Sequence, residues 1–189
     1  PCFGCNIQKC EGKDLCTMPE TVQIMELYDE LRRERKNIRK FTPYTQRLQD
    51  IWIRKTVPEI VPPHEAMGSN IAQLTSRIIH IKKMMPGTIF KETYPAAGIF
   101  RLLPSLGLSS SYLKEYRDII NGKRIRSVFI RKMEDKASVF IYDNDMDILV
   151  NNIKLFDSLI LAFTGVLGFL GKTEGPTSDF FIPINDVKF

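Results

Sequence analysis

Apolar residues recur at helical spacing along much of this chain. Val22, Ile24, Met25, Leu27, Tyr28 and Leu31 form one stripe, and Thr17-Met18-Pro19-Glu20 is a fitting helix start, with proline in the first turn. Ile71, Leu74, Ile78 and Ile81 are three and four apart, so residues 69–85 read as an amphipathic helix that Pro86-Gly87 stops. Thr88 to Tyr94 then reads as a buried strand ended by Pro95. Helix followed at once by strand is the grammar of an α/β domain. Ala96–Leu103 predicts a short helix, residues 106–111 a loop, and Tyr112–Met133 a mostly helical stretch broken at Asn121-Gly122. Residues 153–170 carry Phe156, Leu159, Ile160, Phe163, Val166 and Leu167 on nearly all faces, the mark of a central helix.

The remaining segments are less regular. Leu48–Val57 fits a strand or a short helix and holds Trp52. Residues 138–142 fit a short strand or a helix end. The run Asp143-Asn144-Asp145-Met146-Asp147 opens like a calcium loop. It has Ile148 where the sharp-turn glycine belongs and Lys154 where the closing glutamate belongs, so it reads as a loop and helix cap. The tail from Glu174 to Pro183 reads as a loop and a short terminal strand.

Bulk composition changes this picture little. The 189 residues suffice for one domain with a real core. A net charge of +5 permits a nucleic-acid partner without requiring one. The basic run Arg32-Arg33-Glu34-Arg35-Lys36, with Arg39 and Lys40, is either a phosphate-binding face or a solvated helix end that complements the helix dipole. Ser158–Gly171, the longest uncharged run, is too short to span a bilayer. With no signal-peptide pattern in the opening residues, the expectation is a cytoplasmic protein without a membrane partner. His64 and His80 have no acidic or cysteine partner at ligand spacing and read as structural.

Chemistry concentrates in two places. All four cysteines, Cys2, Cys5, Cys10 and Cys16, fall in the first sixteen residues beside Gly4 and Gly12. Thiolates this close can converge on one cation, a structural Zn²⁺ first and an iron–sulfur cluster second, with disulfides or free thiols as the alternatives. Residues 1–18 therefore read as a cysteine-rich knuckle on a domain of residues 19–189. The second place is a pair of acids, Glu92 at a strand end and Asp157 in the first turns of the central helix. Asp157 either serves the positive helix N-terminus or projects into a metal site.

Four segments resemble an uncharacterised microbial family of predicted nucleases with a ribonuclease-H-like fold. They are Pro43-Tyr44-Thr45-Gln46-Arg47, Glu92-Thr93-Tyr94-Pro95-Ala96-Ala97, Phe156-Asp157-Ser158-Leu159-Ile160-Leu161-Ala162, and the Glu174-Gly175 to Phe181-Ile182-Pro183 ending. The cysteine-rich opening and Pro19-Glu20 are similar as well. The resemblance implies an α/β fold, a ribonuclease-H-like mixed sheet flanked by helices. It implies Glu92 and Asp157 as catalytic carboxylates holding Mg²⁺ or Mn²⁺, which would activate water and stabilise the leaving oxygen of a phosphodiester. Tyr44, Arg47 and Lys91 are the matching candidates for substrate contacts. The implied function is a metal-dependent nuclease acting on DNA or RNA. The alternative is a non-catalytic nucleic-acid or protein binding module on the same fold.

The family's first acidic strands precede its cysteine segment, whereas this sequence begins directly on it. The expectation is an N-terminal portion outside this sequence, or a homodimer partner for the strand left unpaired. Just before Asp157, Ile153-Lys154-Leu155 replaces the polar or acidic groups common in the family.

Overall fold

The computed structural model describes residues 19–34, 47–61 and 72–189. The chain divides into two compact units, residues 1–90 and 91–189.

In the first unit, helix α1 (Pro19–Glu34) packs on α2 (Leu48–Thr56). Leu48, Ile51, Ile53, Val57 and Ile60 supply the buried face. The start of α2 explains why Leu48–Val57 is a helix. The Asp50 carboxylate accepts the Arg47 backbone N–H at 3.1 Å, and the Arg47 guanidinium returns to the same carboxylate at 2.9–3.1 Å. These bonds hold the residue before α2 against its first turn, the half of a capping box that a carboxylate at the third helical position supplies. Helix α3 (Ala72–Met84) follows, within the bounds its apolar period predicts.

The second unit is built from helices α4 (Pro95–Leu106), α5 (Tyr112–Glu115), α6 (Gly122–Ala137), α7 (Asp143–Asn151) and α8 (Ile153–Phe169). A hairpin of strands β1 (Thr173–Thr177) and β2 (Phe180–Pro183) closes it. The two strands are antiparallel, with Thr173 opposite Pro183 and Glu174 opposite Ile182. Helix α8 packs against α4, α7 and the hairpin, while α6 packs against α4 and α7. Their shared core is Leu102, Leu106, Phe129, Met133, Phe156 and Ile160, all essentially inaccessible to water. Helices α4 and α8 approach closely at Gly98. A Cβ there would stand 3.0 Å from Ile160 Cγ2 and 3.3 Å from Thr164 Oγ1.

The ribonuclease-H-like mixed sheet is not what this chain builds. Among the described residues the sheet is the two-stranded β1–β2 hairpin, and most of the rest is helical. The expected strand 88–94 reduces to a single parallel bridge between Glu92 and Phe180. Residues 138–142 form no regular element, and the acidic run 143–147 opens α7 instead of a loop. Asp143 and Asp145 fall in its first turn, where carboxylates favour the positive helix end. An extended segment becomes a strand only when a neighbour exchanges backbone hydrogen bonds along its length, and the bridge here is at Glu92, to Asp179 O and Phe181 N–H. Helix α8 differs from its expected role too. Phe156, Ile160, Phe163 and Leu167 are buried, but Leu155, Ala162, Val166 and Phe169 are exposed. It is a core helix on one side only.

Candidate anion-binding cleft

The turn from Arg117 to Asn121 prepares the start of α6. Asp118 Oδ1 accepts the backbone N–H groups of Ile120 at 2.8 Å and Asn121 at 2.7 Å. Gly122 follows because a Cβ there would lie 2.9 Å from Tyr116 O and 2.8 Å from Arg126 Nη1. The start of α8 is capped in the same manner. Asn152 Oδ1 accepts from Lys154 N at 3.0 Å and Leu155 N at 3.3 Å.

Arg126 ties α6 to the helix ends that precede these two starts. It is 3% exposed, its Nε donates to Val150 O at 2.8 Å, and its Nη1 donates to Tyr116 O. One guanidinium thus pins the end of α5, the body of α6 and the end of α7. Between the helix starts lies an open depression lined by Arg117, Asp118, Lys123, Arg126, Asn152 and Lys154, with Ile119 on its lip. Four cationic side chains face one lining carboxylate. Lys123 and Arg124 occupy the first turn of α6, which has no acidic residue. Cations there oppose the helix dipole, at a cost of roughly 0.3–1 kcal/mol each. An arriving anion would relieve that cost and gain the dipole's attraction as well.

Asp157 sits beside this depression on α8. Its Oδ2 accepts Arg117 Nη2 at 2.6 Å, and Arg117 Nε bonds the Tyr116 hydroxyl at 2.6 Å. Asp157 Oδ1 is buried and has no hydrogen-bond partner. Burial raises the Asp157 carboxyl above the usual aspartate range, against the opposing pull of Arg117 and Arg126. The folded state therefore holds this proton more tightly than the unfolded chain does. Asp157 should add stability below the ordinary aspartate pKa and lose it as pH rises through the raised value. The expected result is that wild type loses ground to Asp157→Asn as pH climbs through that window. Paired urea midpoints measured across the acid range check this.

The other residues expected from the sequence lie elsewhere. Glu92 is exposed, its N–H bound to Asp179 O at 2.7 Å and its carbonyl accepting Phe181 N–H at 3.0 Å. Lys91 Nζ donates to Ser178 O and stands 3.9 Å from Asp179 Oδ1. Both lie before α4 and bond to the turn of the hairpin and the start of β2. Arg47 caps α2 through Asp50, in the first unit. Tyr44 and the knuckle residues Cys2, Cys5, Cys10 and Cys16 lie outside the described residues.

The donors at Asp157 do not suit Mg²⁺ or Mn²⁺. A hard divalent ion needs several oxygen ligands, and one Asp157 oxygen is taken by a guanidinium while Arg126 adds a second positive charge. Among the described residues no three His, Cys, Asp or Glu side chains gather as a metal site.

Arg117, Lys123, Arg126 and Lys154 are the residues the sequence reading passed over. Lys123 alone carried a local signal, a basic pair with Arg124 directly after the Asn121-Gly122 break, where a helix start favours acids. Comparison of the chain with protein-family profiles, curated proteins and solved structures gives no match. Among the described residues no single helix is long and apolar enough to cross a membrane.

Proposed function

We propose that residues 91–189 form a phosphate-binding module that engages the backbone of nucleic acid without reading its sequence. The observation that carries this is the set of cations at two neighbouring helix starts, Arg117 and Lys123 at α6 and Lys154 at α8. Phosphate is the ligand that helix starts and clustered Lys and Arg side chains both favour. Arg126 is spent on two backbone carbonyls and serves as the frame. Arg117, more than half exposed while it holds Asp157, retains donors for a ligand.

Fluorescence anisotropy with a labelled oligonucleotide, run over a salt series, tests the proposal. Three neutralised phosphates should give a slope of log K against log salt of about −2 to −3. Replacing Lys123 and Lys154 together by alanine should weaken binding by about tenfold or more and flatten the slope by about 2. Equal affinity and slope in wild type and the double variant would refute the reading. The same samples incubated with Mn²⁺ report on hydrolysis. Cleavage that Glu92→Gln and Asp157→Asn both abolish would put a nuclease in place of a binding module.

A further inference from the structure

The turn that prepares α6 carries apolar surface at its tip. Ile119 is 94% exposed and Ile120 85%, and Ile119 lines the cationic depression beside Arg117, Lys123 and Lys154. One exposed aliphatic side chain is ordinary on a protein surface, whereas two adjacent ones standing almost wholly in water on one turn make a patch. Hydrogen bonds fix the turn beneath them. Asp118 N–H donates to Glu115 O at 2.9 Å, Asp118 O accepts Gly122 N–H at 3.1 Å, and Asp118 Oδ1 accepts the N–H groups of Ile120 and Asn121. The backbone is thus already ordered where a ligand would cover the isoleucines, which lowers the entropy cost of contact.

The groups around the pair narrow the choice of occupant. Lys123, Arg124 and Lys154 are exposed, and the first turn of α6 has no acidic residue. The lining carboxylate, Asp118, has one oxygen engaged by the turn itself. A ligand that matches this edge joins phosphate to an uncharged flat surface. A nucleic-acid strand does so at every step, with each base one sugar away from its phosphate. In a duplex the base faces are stacked on one another, and reaching them requires unstacking. In a single strand they are open. A phospholipid surface also joins phosphate to apolar matter, but its apolar part lies beneath the headgroups. Reaching it would draw the flanking Asp118 and Asn121 towards hydrocarbon, where polar groups are costly.

Building on the phosphate reading of the cleft, we infer that this edge selects unpaired nucleic-acid strands. The helix starts of α6 and α8 hold the backbone, while Ile119 and Ile120 cover the open base faces beside it. Aliphatic side chains offer no hydrogen bonds, so the contact separates paired from unpaired bases and not one base from another.

Anisotropy of the full chain with one labelled strand, alone and annealed to its complement, tests this. The single strand should bind at least about fivefold more tightly at equal salt. Ile119→Ser with Ile120→Ser should weaken single-strand binding about tenfold and narrow the gap to the duplex. The salt slope should stay as in wild type, because no charge is removed. Circular dichroism should show this variant folded, since both side chains stand in water. Ile119→Phe keeps the apolar bulk and adds a ring on which a base can stack, so its affinity should match or exceed that of wild type. A serine variant that binds the single strand like wild type, while Lys123→Ala with Lys154→Ala still weakens it, would overturn the inference and leave the phosphate reading standing. Lysine changes without effect would remove the phosphate reading itself. A duplex bound as tightly as the single strand would also overturn the selection of unpaired strands. Isoleucine-dependent pelleting with phosphatidylserine vesicles, with oligonucleotide affinity unmoved by the same change, would assign the pair to a lipid surface instead.

Discussion

Phe156→Ala should destabilise the second unit by about 3–5 kcal/mol, the range for emptying a buried aromatic site. Phe156 is fully buried where α8 leaves its cap. Its ring stands 5.9 Å from Tyr116 and 5.7 Å, edge-on, from Phe129. Those contacts join α8 to the α5–α6 region, so the void would open beneath the cationic cleft. A domain of this size has about 5–15 kcal/mol of stability, so the substitution removes a large fraction of it. Urea unfolding followed by far-ultraviolet circular dichroism should show a midpoint about 2 M lower. Fluorescence serves less well, since Trp52 belongs to the first unit. A midpoint within about 0.3 M of wild type would mean that Phe156 is not at the centre of this core.

Arg126→Met should cost about 2–4 kcal/mol even though methionine fills much of the same space. The guanidinium donates to Tyr116 O and Val150 O, and methionine can donate to neither. Each abandoned acceptor costs about 1–3 kcal/mol. Asp157 would also lose one of the two cations that oppose its burial. The ends of α5 and α7 would no longer be tied to α6. Oligonucleotide affinity should then fall alongside stability, although Arg126 itself has little exposed surface to offer a ligand. Arg126→Lys separates the two effects. It keeps the charge but cannot span both carbonyls with a planar fork. Affinity should fall in this variant too, measured where circular dichroism shows it folded. Wild-type affinity and midpoint in Arg126→Met would refute the framing role.

Local elements were largely legible without coordinates. The spacing of Leu74, Ile78 and Ile81 placed a helix at 69–85, and α3 spans Ala72–Met84. The apolar run after Asn152 placed one at 153–170, and α8 spans Ile153–Phe169. The break at Asn121-Gly122 divides α5 from α6 as expected. Thr88–Tyr94 misled because its composition suits a strand while its hydrogen-bond partners are set far away in sequence. Asp157 stands out in the sequence as an acid on an apolar helix, but its immediate partner, Arg117, lies forty residues earlier.

What the sequence alone determined is most of the helices, α2 and α7 excepted, and the presence of an acid on the long apolar one. Each of these follows from side chains within a turn or two, where hydrogen bonds and apolar spacing act over short distances. The tertiary structure decided that no mixed sheet forms, which half of α8 meets water, and that cations from three separate segments share one cleft. Those outcomes depend on which helices pack together, because packing sets both burial and the neighbours of every charge.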